Sequence, residues 1–139
     1  MTKKIIVLSR WKFEQFVKSL TPNQISQTAF ISIRDIEYPT ILDSASNVLN
    51  LSFDDTEEQI QDKFILFDEQ MADEIVNFVH NNEDKNLFVI HCLMGISRSG
   101  AVGEVLSDYF KIPYEKFKRD NPQVIPNCLV KRILQRKLT

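Results

Sequence analysis

Leu87-Phe88-Val89-Ile90-His91-Cys92-Leu93-Met94-Gly95-Ile96-Ser97-Arg98-Ser99-Gly100 is the stretch on which the fold turns. Its first four residues form a continuous apolar run, the pattern of a central parallel strand buried on both faces. Residues Arg98 to Phe110 read as a helix, which Pro113 ends. Between the two lies a turn with one glycine, Gly95, where a positive φ would favour that residue.

The surrounding segments repeat this alternation. Ile5 to Leu8 reads as a first buried strand, and Trp11 to Leu20 carries Phe13, Phe16 and Val17 at helical spacing. Thr21-Pro22-Asn23 reads as a break. Thr28 to Ile33 is rich in strand formers, and Val48 to Phe53 alternates as a half-buried strand does. Phe67, Met71, Ile75, Phe78 and Val79 fall on one face of a helix, and Asn81 to Lys85 is a polar turn. Pro126 opens a last helix with Leu129, Val130, Ile133 and Leu134 as its apolar stripe. Its other face and last turn are basic, with Lys131, Arg132, Arg136 and Lys137. Strands alternating with helices predict an α/β layer architecture with a mostly parallel sheet. Sites in such sheets form at the carboxyl ends of strands, which directs attention to the residues after Ile90.

Composition bounds the possibilities. The 139 residues fit one domain, and 43% hydrophobic with 26% charged residues suffices for a core without staples. The formal net charge of −2 gives no reason to expect nucleic-acid or acidic-membrane binding. The two cysteines, Cys92 and Cys128, make neither a disulfide framework nor a zinc spacing, and the two histidines lie far apart. The apolar run ending at Leu8 is too short for a signal segment or a membrane span. A cytoplasmic, cofactor-free protein with reduced thiols is the expectation.

Five residues separate Cys92 from Arg98. A loop of that length can curl around one tetrahedral anion, with successive N–H groups pointing inward and the next helix adding its positive end. A cysteine thiol in such a setting is expected to ionise and become a nucleophile. Arg98 offers a planar fork matched to two phosphate oxygens. Ser99 places a hydroxyl within reach of the sulfur. Displacing an alkoxide or phenoxide also needs a proton donor, and the later attack of water needs a base; one carboxyl can serve both in turn. Asp54 and Asp55, at the end of the Val48–Phe53 strand, are the candidates. Strand residues alternate faces, so only one of the two should face Cys92. Glu57, Glu58 and Asp62 are next in line.

With these residues in place, His91-Cys92-x5-Arg98-Ser99 resembles the signature loop of the cysteine-based protein tyrosine phosphatases. The run Gly95 to Val102 resembles the dual-specificity branch and its small bacterial or phage relatives. The resemblance runs from about Val48 onward and includes Phe53-Asp54-Asp55 and Pro126-Asn127; the first forty residues match only in general layout. It implies a single catalytic domain over 1–139, with a three-layer fold. Cys92 is then the nucleophile, Arg98 the phosphate and transition-state ligand, and Ser99 an aid to breakdown of a phosphocysteine. The N–H groups of Leu93, Met94, Gly95, Ile96, Ser97 and Arg98 form the cradle, and Ser99 closes the substrate-binding stretch. The family's acid is usually followed by a polar residue or His, which favours Asp55, followed by Thr56, over Asp54. The implied partner is a phosphorylated protein or peptide, acted on by a monomer. The loop has no lysine, unlike phosphoinositide phosphatases of the superfamily, and carries Leu93, Met94 and Ile96 instead.

Two other functions share parts of the pattern. A rhodanese-like sulfurtransferase also sets a Cys loop between strand and helix, but Gly95, Ser99 and the upstream acid speak against it. A pseudophosphatase would bind phosphate without turnover. Blander readings attach to single residues: a solvated turn for Asp54 and Asp55, space filling for His91, an inert thiol beside the apolar stripe for Cys128, and solvent exposure for His80 and the basic helix end.

Overall fold

The computed structural model describes residues 2–138. Four strands, β1 (Lys4–Leu8), β2 (Ala29–Arg34), β3 (Val48–Ser52) and β4 (Leu87–His91), form one sheet in the order β1-β4-β2-β3. Every pairing is parallel, with Val7 opposite Ile90, Ile31 opposite Ile90 and Ile33 opposite Leu51. The apolar run of β4 therefore lies between β1 and β2, and its Phe88, Val89 and Ile90 are fully buried.

Alternation along the strands sends side chains to two cores. Ile5, Val7, Ile31, Ile33, Phe88 and Ile90 join the larger core. It is closed by α3 (Glu69–Asn81), α4 (Arg98–Tyr109), α5 (Tyr114–Asp120) and α6 (Cys128–Lys137). On the opposite face Phe30, Val48 and Val89 meet Phe13 of α1 (Arg10–Lys18), with Ile25 of α2 (Pro22–Ser26) packed against them. The result is the three-layer α/β arrangement expected from the alternation of elements.

The structure departs from the sequence reading in several places. Thr21-Pro22-Asn23 does not break the chain but starts α2. Thr21 accepts from Gln24 N and the Gln24 side chain accepts from Thr21 N, a reciprocal cap that outweighs the turn propensity. Phe67 is outside α3, because Asp68 caps the helix through Met71 N. The Phe67 ring instead meets Phe53 edge-on at 5.0 Å. The segment after Pro113 contains α5, a short helix that the apolar spacing does not predict. Cys128 is exposed at the start of α6, off the stripe that buries Val130, Ile133 and Leu134. The basic face of α6 is not simply solvated: Lys131 pairs with Glu104 at 2.7 Å and Lys137 with Asp73 at 3.3 Å.

Strand β1 lies at the sheet edge, where unpaired backbone needs partners. Buried Asn121 supplies them, accepting from Val7 N and donating to Ile5 O. Gly103 of α4 lets that helix approach β1, since a Cβ there would lie 2.7 Å from Val7 Cγ2. Because all strands run the same way, the segments leaving β1, β2, β3 and β4 emerge on one edge. Among the described residues, no helix is long and apolar enough to cross a membrane.

Candidate active site

The loop from Cys92 to Arg98 is held almost entirely by its carbonyls. Cys92 O accepts from His91 Nδ1, Leu93 O from Arg10 N, and Gly95 O from the Gln123 amide. Ile96 O accepts from Ile125 N and Ser97 O from Asn127 N, both near 3.0 Å. A trans peptide points its N–H opposite to its C=O. With those carbonyls tied to the surroundings, the N–H groups of Leu93, Met94, Ile96, Ser97 and Arg98 are turned to the other side, into the loop. Gly95 N donates to Cys92 Sγ at 3.3 Å. Gly95 has φ +72°, and a Cβ there would lie 2.5 Å from Leu8 C, so glycine is required on both counts.

Cys92 is 2% exposed, and its Sγ lies 3.0 Å from Ser99 Oγ. Arg98 is 4% exposed. Its Nη1 is occupied twice, by Asp35 Oδ1 at 2.8 Å and Phe53 O at 2.9 Å. Its Nε is buried without any partner. A buried guanidinium N–H left unpaired is costly, and an anion in the cradle would relieve that cost.

His91 lies beneath the loop, fully buried, with its ring 4.1 Å from that of Phe13. Burial pulls its pKa from 6.5 down to about 4, against the bond to Cys92 O and with Arg10 and Arg98 adding repulsion. The ring is therefore neutral near pH 7. Its Nδ1–H donates to Cys92 O, which leaves Nε2 to accept from Ser32 Oγ at 2.5 Å. His91 does more than fill space: it fixes the first carbonyl of the loop.

The two neighbouring aspartates do diverge. Asp54 turns into its own loop, accepting from Ile65 N at 2.8 Å. Asp55 turns to the cradle, accepting from Ser97 Oγ at 2.9 Å and Asn127 Nδ2 at 3.0 Å. Glu57 accepts from Cys128 N at the start of α6, while Glu58 and Asp62 are exposed on the loop. Leu93 and Ile96 are half-buried, and Met94 projects from the loop 61% exposed.

Asp35, Asn127 and Gln123 are the polar neighbours whose contacts sequence reasoning did not foresee. Asp35 was within reach of it: it follows the end of β2, which adjoins β4, so edge logic applied to Asp54 and Asp55 applies to it as well. Nothing in the sequence pointed to Gln123. Among the described residues, no group of three His, Cys, Asp or Glu side chains is placed to hold a metal ion.

A parallel α/β sheet with a Cys–x5–Arg loop at the exit of its central strand is the arrangement to compare. Comparison with solved structures shows which proteins share it. The chain is similar to the PTP-2 phosphatase of Cydia pomonella, at 20% identity and TM-score 0.61, covering 98% of this chain and 86% of that one. It is similar to DUSP15, at 17% identity and TM-score 0.56, covering 96% and 82%. It is also similar to Tk-PTP in the active form, at 14% identity and TM-score 0.56, covering 99% and 93%. No family model and no curated protein matches the sequence. The chain thus has the fold of the small cysteine-based tyrosine and dual-specificity phosphatases.

Proposed function

We propose that the protein hydrolyses phosphomonoesters through a phosphocysteine on Cys92, with phosphotyrosine in proteins or peptides as its substrate. The observation that carries this reading is the buried, unpartnered Nε of Arg98 beside a loop whose carbonyls are tied outward. Such a site suits an anion with several acceptor oxygens, and a phosphoryl group is one.

The positions of the groups support the following reaction. Cys92 Sγ, as thiolate, attacks phosphorus. The S–P bond forms as the P–O bond to the leaving group breaks, and the bonding pair stays on the departing oxygen. Asp55 gives that oxygen its proton. The loop N–H groups and Arg98 hold the equatorial oxygens throughout. Asp35 and Phe53 O, by occupying Nη1, fix which edge of the guanidinium faces the cradle. In the second half, water attacks phosphorus and gives its proton to Asp55. The S–P bond breaks, and Sγ leaves as thiolate with the Ser99 hydroxyl 3.0 Å away to hydrogen-bond it.

The preference for an aromatic ester rests on exposed apolar side chains. Met94 projects from the cradle loop, and Ile125, whose N–H donates to Ile96 O, is 71% exposed. Ile36 and Tyr38 follow Asp35, and Arg34 and Arg10 pin their segment through the carbonyls of Ile36, Tyr38 and Pro39. A substrate ring would cover part of this apolar surface. A thiol-dependent enzyme works where thiols stay reduced, so we place it in the cytoplasm.

The decisive measurement is turnover of p-nitrophenyl phosphate without added metal, followed by a comparison of phosphotyrosine and phosphothreonine peptides. Turnover abolished by Cys92→Ser, with higher kcat/KM on phosphotyrosine, is expected. Binding of phosphate without turnover would make the protein a phosphate-binding module instead, and sulfur transfer from thiosulfate to cyanide would make it a sulfurtransferase.

A further inference from the structure

Ser97 and Asn127 stand out because their polar atoms are used in an unusual way. Ser9, Thr21, Asp68 and Asn127 occupy the N-caps of α1, α2, α3 and α6, and each accepts from an N–H of its helix. Ser97 occupies the N-cap of α4 and makes no such bond. Its hydroxyl donates to Asp55 Oδ1 instead. The diversion leaves the first N–H groups of α4 available to an anion, and it brings a donor to the acid.

Asn127 brings the second donor. Its side-chain oxygen accepts from Val130 N, which fixes the orientation of the amide. The nitrogen end is therefore the one that reaches Asp55 Oδ1 at 3.0 Å and Thr56 O at 3.2 Å. Its backbone N–H meanwhile holds Ser97 O. One buried side chain thus joins the cradle, the acid loop and α6.

We infer that Ser97 and Asn127 are positioning residues that orient the Asp55 carboxyl, reserving Oδ2 as the oxygen that carries and delivers the proton. This rests on the reading of Asp55 as the acid. Both donors meet Oδ1. A proton on Oδ1 would have to displace them, whereas a proton on Oδ2 leaves Oδ1 as a carbonyl oxygen that still accepts both. The same two bonds persist when Asp55 is a carboxylate and serves as base. Asp55 itself is exposed on a loop, so these donors supply the orientation that burial does not.

The test compares phenyl phosphate, a poor leaving group, with p-nitrophenyl phosphate, a good one. Ser97→Ala removes one donor without removing a cap. Asn127→Ser removes the other and keeps a competent N-cap residue. Each should lower kcat/KM for phenyl phosphate by roughly 10-fold, as the loss of a hydrogen bond to a charged group does, and do so less for p-nitrophenyl phosphate. In an Asp55→Asn background each should cost about twofold or less, since the group they orient is gone. Losses of equal size in both backgrounds, or equal for both leaving groups, overturn the inference while leaving the phosphatase reading intact. Absence of any Cys92-dependent turnover in the unaltered protein overturns that reading and this inference together. If Asn127→Ser fails to fold, Ser97→Ala carries the same comparison alone.

Discussion

The cradle loop and the acid loop are built by opposite means. From Cys92 to Arg98 the chain is held through main-chain oxygens, and every residue other than Met94 is buried or half-buried because the backbone has no freedom to turn out. From Asp54 to Ile65 the chain is largely exposed and ties mainly to itself. Asp54 and Ile65 exchange two bonds, Gln59 and Phe64 exchange two more, and Gln61 and Asp62 adopt positive φ. Its links to the cradle and to the start of α6 each use a side chain: Asp55 to Ser97 and Asn127, the Asn127 amide to Thr56 O, and Glu57 to Cys128 N. A loop that is to present many N–H groups to one anion needs a fixed backbone. A proton donor needs one carboxyl in one place, and a few side-chain bonds suffice.

The contrast predicts a ladder of effects. At the top, Cys92→Ser should reduce turnover by roughly 10⁴-fold or more, the scale for loss of a nucleophile, while phosphate still binds the intact backbone cradle. Retained turnover would separate the loop from the chemistry. Next, Asp55→Asn should lower the rate with phenyl phosphate by roughly 100-fold, and the defect should shrink with p-nitrophenyl phosphate. Asp54→Asn should do much less, because its carboxyl faces Ile65 N. The reverse order would exchange their roles. Asp35→Asn should cost roughly 10-fold in kcat/KM, by loosening Arg98 while keeping an acceptor; Asp35→Glu should recover part of the loss. An unchanged Asp35→Asn would mean that Phe53 O alone fixes the guanidinium.

The smallest effect concerns stability under the cradle. His91 has a folded pKa of about 4 against 6.5 when free. Between these values the unfolded chain takes up a proton that the folded chain refuses. The stabilisation is thus present above pH 6.5 and is lost as pH falls towards 4, by about 3 kcal/mol in all. Denaturant unfolding at pH 7 and pH 4.5 should show the decline, and His91→Gln, which does not titrate, should flatten it. An unaltered slope in that variant would assign the acid sensitivity to carboxylates.

This difference in construction also explains what could be read from the sequence. The strand Leu87–His91, the loop and α4 were legible because apolar runs, a central glycine and helical spacing are local signals. So was the parallel sheet, with every strand found near its place. Strand alternation predicts opposite orientations for Asp54 and Asp55, and they do diverge, although β3 ends at Ser52 and it is loop bonds to Ile65 and Ser97 that fix the two carboxyls. What escaped was contact made by distant side chains. The pairing of Asp35 with Arg98 spans two loops, and the Gln123 bond to Gly95 O comes from a segment with no regular structure. The helices α2 and α5 are short, and the turn signals of Pro22 and Pro113 masked them, although Pro is well tolerated where a helix begins.

The bonds from Gln123, Ile125 and Asn127 to the cradle carbonyls bear on the order in which the molecule can be made. Gln123 lies 28 positions beyond Gly95, and Asn121 bonds across 114 positions to Val7. A chain still emerging from the ribosome would hold Cys92 and Arg98 long before it held the groups that turn their peptides inward. Domains with such distant pairings fold late and as a unit. The carbonyls of Gly95, Ile96 and Ser97 are therefore tied only once synthesis has passed Asn127, and a truncated chain lacking residues after 120 should carry the Cys92-x5-Arg98 motif without that loop geometry.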